Sequence, residues 1–197
     1  MSTFLLHFAS EIIKAEDMSN PGQATEIAYT QWKAQPMDRN LLLCAGTELW
    51  FAQIWQDYEI SFRPDSSIVF GDQTLRLERL MEVTRWMFQY FENDAVCNAY
   101  FGYMIEVMPY FFIDYGRDYD GWQEKGRNMM KKAYRLDPEN LFVKAMYYDA
   151  RDDTPHYRAA CAELWKQETP ESWGTSAVQE YFFSILGGFR AYPEWEG

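Results

Sequence analysis

Residues 149–156, DARDDTPH, bring three carboxylates and an imidazole together in a short segment. The four side chains are Asp149, Asp152, Asp153 and His156. On one continuous helix these spacings would gather all four on a single face, where they could hold a divalent ion and support a helical metal-dependent enzyme. Pro155 opposes that geometry, because it disfavours helical backbone at Thr154, which is itself a good helix cap. The sequence therefore favours an acidic turn between two helices over a metal centre.

A cysteine–histidine nucleophile is the other catalytic arrangement to consider. Cys161 lies five positions after His156, so their side chains would not face each other well on one helix. The sequence contains no His-Glu-x-x-His, no Cys-x-x-Cys, no glycine-rich phosphate loop before a lysine and no Gly-x-Ser-x-Gly turn. We therefore expect no catalytic residue, no metal site and no cofactor, and we predict that the protein is not an enzyme.

Residues 110–122, YFFIDYGRDYDGW, hold six aromatic residues and three aspartates around one arginine. Aromatic anchors ringed by charge are typical of protein-binding hot spots, and aspartates beside tyrosines suit an incoming lysine or arginine. The alternative is a helix that extends through residues 110–116, with its rings inward and its aspartates in water. We favour a docking surface, and the predicted partner-binding residues are Asp114, Tyr115, Asp118, Tyr119, Asp120 and Trp122.

A basic cluster follows this segment on the next predicted helix. Its members are Lys125, Arg127, Lys131, Lys132 and Arg135. They could bind an anion or pair with the acidic segment just before them. Because exposed ion pairs are common and nearly neutral in energy, local charge pairing is the interpretation that we favour.

Helical periodicity dominates the elements that must position these clusters. We predict an all-α fold of about nine helices with short connections. The first two are expected at residues 4–16 and about 24–35, with a stop between them at residues 20–22, NPG. Residues 58–71 alternate loosely and fit either a long loop or a short hairpin. A later helix is predicted at about 120–136, and the residues expected to cap helices are Asp38, Asn93 or Asp94, Asp137, Thr154 and Thr169.

Composition and charge narrow the functional classes. The 197 residues are 48% hydrophobic and 24% charged, which is typical of a globular protein, and we predict one domain over residues 1–197. No apolar run approaches the roughly 18 residues that span a bilayer. The start of the chain has no basic region, so we expect a cytoplasmic protein without a signal peptide. A net charge of −12 disfavours nucleic-acid binding and would attract a cationic partner. Three widely spaced cysteines are expected to be buried small hydrophobes.

One segment resembles a known repeat. In residues 126–138, GRNMMKKAYRLDP, a small residue is followed four positions later by a large apolar residue, three positions after that by an alanine, and five positions after that by a proline. This resembles the second half of a tetratricopeptide repeat, in which small residues let two helices approach closely. The resemblance implies irregularly stacked helical hairpins that bind peptides or proteins, and no chemistry.

These observations lead to three functional hypotheses. In size, acidity and lack of catalytic motifs, the chain is similar to bacterial immunity and antitoxin proteins, which neutralise a basic toxin, commonly a nuclease, by direct binding. The second hypothesis is a tetratricopeptide-like adaptor or secretion chaperone that binds a peptide. The third is the helical metal-dependent enzyme built on residues 149–156. We favour the first, with a basic protein as the partner.

Overall fold

Helices make up the regular secondary structure of the residues that the structure describes. The structure is a computed structural model that describes residues 5–63, 66–113, 118–169 and 173–187. The described residues contain no strand, and the all-α prediction is confirmed. Their helices are α1 (Ser10–Asp17), α2 (Pro21–Ala34), α3 (Arg39–Phe62), α4 (Gln73–Tyr90), α5 (Ala95–Val107), a short 3-10 helix (Pro109–Phe112), α6 (Tyr119–Leu136), α7 (Leu141–Asp149), α8 (Thr154–Gln167) and α9 (Ala177–Ile185).

The chain divides into two compact units, which we call the N-unit and the C-unit. The N-unit consists of Leu6–Tyr90 with Thr175–Val178. The C-unit includes Phe91–Gly174 and the described chain from residue 179 onward. One domain over residues 1–197 stays a prediction.

The N-unit is built from α1 to α4, each packed against the next. The helix predicted at residues 4–16 begins only at Ser10. The predicted break between the first two helices is present but falls at residues 18–20, because Asn20 caps α2 by accepting a hydrogen bond from the Gln23 amide. Pro21 occupies the first turn of that helix, where its missing N–H costs nothing. The cap predicted at Asp38 is confirmed by its bond from the Leu41 amide.

Helix α3 runs through part of the segment that we predicted as a loop or hairpin. It ends at Phe62, and the described residues between it and α4 form a loop without strands. Arg76 of α4 holds this loop by donating to the Phe70 carbonyl, while its other nitrogen binds Gln53 of α3. The helix continues because its buried face extends as far as Glu59. The packing of this face outweighs the low helix propensity of the β-branched and aromatic residues in the segment.

The C-unit is built on a close pair of antiparallel helices, α5 and α6. Gly102 and Gly126 face each other, and a Cβ placed on Gly126 would lie 2.6 Å from the Gly102 carbonyl oxygen. Asp94 caps α5, as predicted. The predicted cap at Asp137 is wrong, because Asp137 ends α6 and Asn140 caps α7. The small residue at position 126 therefore allows the close approach that the repeat resemblance led us to expect.

Aromatic rings supply the largest side chains of the C-unit core. Tyr100 stacks on Phe142 with ring centroids 4.4 Å apart, and Phe182 of α9 meets Tyr100 edge-to-face at 4.9 Å. The cysteines of both units are free and buried, as predicted: Cys44, Cys97 and Cys161. Within the described residues, no helix combines the length and apolarity needed to cross a bilayer.

Candidate functional site

The aromatic-acidic segment contributes both to the core and to the surface of the C-unit. Its first residues form the 3-10 helix, which packs against α6. Phe111 and Phe112 are buried, whereas Tyr110 and Ile113 are 47% and 52% exposed. The alternative of an α-helix through residues 110–116 is not supported, because the described part is a single 3-10 turn that ends at Phe112. Two predicted site residues, Asp114 and Tyr115, lie outside the described residues.

The other four predicted site residues lie at the start of α6 and have different roles. Asp118 caps the helix, because its carboxylate accepts the Gly121 amide at 2.9 Å. Tyr119 is 45% exposed, and Asp120 is exposed in the first turn. Trp122 is only 3% exposed and lies 6.0 Å from Phe112, ring centroid to ring centroid. Trp122 therefore belongs to the core, and its ring presents almost no surface to a partner.

The exposed members define one candidate surface. We call it the 110–120 surface, and it consists of Tyr110, Ile113, Asp118, Tyr119 and Asp120. Its two tyrosines offer ring faces and hydroxyls, and its two carboxylates supply negative charge. Such a surface can bind a lysine or arginine by ion pairing together with cation–π contact.

Two members of the basic cluster on α6 form ion pairs with glutamates in α5 or just before it. Arg127 lies 3.3 Å from the Glu106 carboxylate, and Lys132 lies 3.3 Å from that of Glu92. Lys125 lies over the Trp122 ring, 4.9 Å from its centroid. Arg127 and Lys132 are therefore charge-paired, but with Glu106 of α5 and with Glu92 just before α5, which the sequence analysis did not indicate.

The acidic segment at residues 149–156 is a turn, because the helix breaks within it. Asp149 ends α7, Asp153 caps α8 in place of the predicted Thr154, and Asp152 lies between them at a φ of 55°. The His156 ring nitrogen Nδ1 is 2.8 Å from the Asp153 carboxylate, and this contact lowers the pKa of Asp153. No group of three or more histidine, cysteine, aspartate or glutamate side chains among the described residues could hold a metal ion.

Cys161 is not activated as a nucleophile. Burial raises the pKa of its thiol to about 11, so it is protonated at neutral pH, and a hydrogen bond with Tyr157 only partly offsets this. His156 is exposed and contacts Asp153 instead. The proposed pairing of the two residues therefore has no support in their surroundings.

The sequence analysis missed two tyrosines beside the basic cluster. Tyr134 of α6 and Tyr147 of α7 stack with their ring centroids 4.3 Å apart and their planes 4° from parallel. Periodicity places Tyr134 next to Lys131, but the contact with Tyr147 depends on how α6 and α7 cross. Two tyrosines 13 positions apart therefore gave no usable signal in the sequence.

Comparison with known proteins adds no relative from which a role could be transferred. We found no match to the chain among protein family models, curated proteins or solved structures. Every functional conclusion therefore rests on the residues of this chain.

Proposed function

We propose that this chain is a non-catalytic protein-binding protein that neutralises a basic partner through the 110–120 surface. The supporting observation is that Tyr110, Ile113 and Tyr119 are exposed in the same short segment as the exposed carboxylates of Asp118 and Asp120. Large apolar and aromatic side chains cost free energy in water and supply most of the binding energy at protein interfaces. Their position next to Asp118 and Asp120 selects a partner with lysine or arginine at its centre.

The charge of the whole chain supports the same partner class. A net charge of −12 creates a negative potential that speeds encounter with a cationic protein and repels nucleic acid. A cationic nuclease needs its basic surface to bind its substrate, so an acidic protein that covers this surface blocks it. An immunity or antitoxin protein acting in the cytoplasm is the most concrete role of this kind.

The test uses the basic protein that the native chain captures from its own cells, or a basic toxin domain if the neighbouring gene encodes one. The variant is Tyr119→Ala with Asp120→Lys, which removes one ring and reverses one charge on the surface. Asp118 is left intact, because losing a helix cap costs about 1 kcal/mol of stability. The control makes the same two changes in the N-unit, Tyr58→Ala with Asp17→Lys, where both residues are exposed.

We expect the surface variant to bind at least about tenfold more weakly, with slower association at low salt. The control should stay within about twofold of the wild type, although the net charge changes equally. Coexpression of the wild type and control should protect cells from the toxin, and coexpression of the variant should protect them less. Equal loss in variant and control would show that only net charge matters and would refute the assignment to this surface.

A second candidate, the peptide-binding adaptor, is favoured by the close α5–α6 contact at Gly102 and Gly126. This contact matches the packing role of small residues in tetratricopeptide hairpins. An adaptor binds short peptides with Kd values of about 1 μM, whereas an inhibitor binds a folded partner far more tightly. Titration calorimetry with unfolded peptides from the partner separates the two. Tight binding that requires the folded partner supports neutralisation.

A further inference from the structure

A groove at the C-terminal half of α6 is positively charged, whereas the chain as a whole is negatively charged. Its walls come from α6 and α7, and it encloses about 370 Å³. This volume is within the range of about 300–1,000 Å³ that small-molecule sites occupy. The lining residues are Asn128, Lys131, Tyr134, Arg135 and Tyr147. The groove contains two cations and no carboxylate, although acidic residues outnumber basic ones 30 to 18 in the chain.

The two cations have no carboxylate partner among the described residues. Lys131 and Arg135 are one helical turn apart and both exposed, and neither forms an ion pair with a carboxylate within the described part of the chain. Arg127, one turn earlier, is compensated by Glu106. Like charges four residues apart destabilise a helix by a few tenths of a kcal/mol. A bound anion would relieve this repulsion.

The tyrosines Tyr134 and Tyr147 line the groove, and each hydroxyl carries one hydrogen that it can donate. Arg151 donates to the Tyr147 hydroxyl at 3.0 Å, and its guanidinium lies 5.3 Å from the ring centroid. Tyr134 also lies beside Tyr148, with ring centroids 6.0 Å apart. A hydroxyl that already accepts one hydrogen bond keeps its own hydrogen to donate.

Asn128 completes a lining made of donors. Its amide oxygen accepts from the Lys131 ammonium at 3.3 Å, which leaves its NH₂ group for a ligand. Ammonium, guanidinium, amide and two hydroxyls can thus all donate into the same space. Many donors with two positive charges are the complement of an oxyanion that carries two negative charges.

We propose that this groove binds the phosphate group of a small phosphate monoester. A phosphate monoester brings close to two negative charges at neutral pH and three acceptor oxygens, which match the two cations and the remaining donors. A carboxylate would leave one cation uncompensated. The volume beyond the phosphate accommodates the organic part of the ligand against the tyrosine pair. This site is separate from the 110–120 surface and does not depend on the proposed neutralising role.

The test is a titration followed by two-dimensional amide NMR at constant ionic strength. The probes are inorganic phosphate, phenyl phosphate and, as a monoanionic control, acetate. The main variant is Lys131→Gln with Arg135→Gln, which keeps good helix formers at both exposed positions. The matched control is Lys14→Gln with Arg63→Gln, which removes the same charge from exposed N-unit positions. Tyr147→Phe tests one hydroxyl while keeping the stacked ring.

We expect both phosphate probes to shift amide signals of residues 128–147 saturably, and acetate to bind more weakly. The double variant should lose about tenfold or more in affinity, Tyr147→Phe a smaller factor, and the control less than about twofold. Unchanged amide spectra outside the groove show that the variants are folded. Three results would overturn the proposal: no saturation by about 20 mM phosphate probe, equal binding of acetate, or equal loss in variant and control.

Discussion

The contact between Gly102 and Gly126 predicts a large effect from a single added methyl group. A Cβ at position 126 would lie 2.6 Å from both the Gly102 carbonyl oxygen and the Glu106 amide nitrogen. Both are backbone atoms within helix α5, so they cannot move aside as a flexible side chain could. Gly126→Ala must therefore push α5 and α6 apart along their length.

The size of the effect follows from two opposing contributions. Alanine is favoured over glycine inside a helix by up to about 1 kcal/mol. Overpacking a close contact typically costs about 1–3 kcal/mol, and two backbone clashes at 2.6 Å place this site at or above the upper end. We therefore expect a net loss of about 2 kcal/mol, or a fall in Tm of roughly 4–8 °C for a chain of this size.

Urea unfolding followed by circular dichroism measures this loss directly. The control is Glu124→Ala, an exposed position on the same helix, for which we expect a change within about 0.5 kcal/mol. If Gly126→Ala is as stable as the wild type, or more stable, the helices are not in backbone contact at this point. That result would remove the packing argument and with it the support for the adaptor hypothesis.

Two further predictions concern buried polar groups. Glu48 is buried next to Glu16. Its pKa is raised well above 4.5, mainly by burial and to a smaller extent by the charge of Glu16. A raised carboxyl pKa means that the folded state holds a proton that the unfolded state releases, so stability falls as pH rises above about 4.5. The Tm of Glu48→Gln should therefore rise relative to that of the wild type as the pH increases from about 5 to 8. The Tm of the control Glu124→Gln should follow that of the wild type over the same range. If the Tm of Glu48→Gln also follows the wild type at every pH, the prediction is wrong. Tyr103→Phe removes a hydrogen bond of 2.8 Å to the Tyr181 hydroxyl. We expect the free energy of unfolding, measured in urea, to fall by about 1 kcal/mol. An unchanged free energy would show that the contact between the two hydroxyls does not stabilise the fold.

The fold class could be predicted because long amphipathic segments fix helices locally. Where an aspartate preceded an apolar face, as at Asp38 and Asp94, the cap prediction was right. Two segments with proline gave the wrong boundary. Asn20 starts a helix and Asp137 ends one, although each directly precedes a proline. The two positions differ in where the buried face of the neighbouring helix begins. That point depends on packing partners that are distant in the sequence.

The loop prediction at residues 58–71 failed in part for the same reason. Ile60 and Phe62 favour a strand by propensity and are exposed, so burial does not explain their conformation. They continue α3 because the turns before them are packed, and extending an existing helix is favourable. No local pattern reveals where such an extension stops.

The candidate surface could be located from the sequence but not resolved into its parts. Clustering of aromatic and acidic residues drew attention to a segment in which the rings of Tyr110 and Tyr119 are exposed, and its role in binding stays a prediction. It could not show that Trp122 is core, because an inward and an outward tryptophan look alike in one helical turn. The phosphate groove could not be predicted from the sequence for a different reason. Tyr134 and Tyr147 contact each other only because α6 and α7 cross at this point.

Helix α6 carries both proposed sites, one near each end. The carboxylates of Asp118 and Asp120 lie at its start, and Arg135 lies in its last turn, so both ends have the charge that the helix dipole favours. With a rise of 1.5 Å per residue, Asp120 and Lys131 are separated by about 16 Å along the axis. This exceeds the screening length of about 8 Å at physiological salt, so their charges interact little through solvent. A phosphate in the groove should therefore leave the association rate of a basic partner unchanged, and a strong dependence would show that the two sites are one.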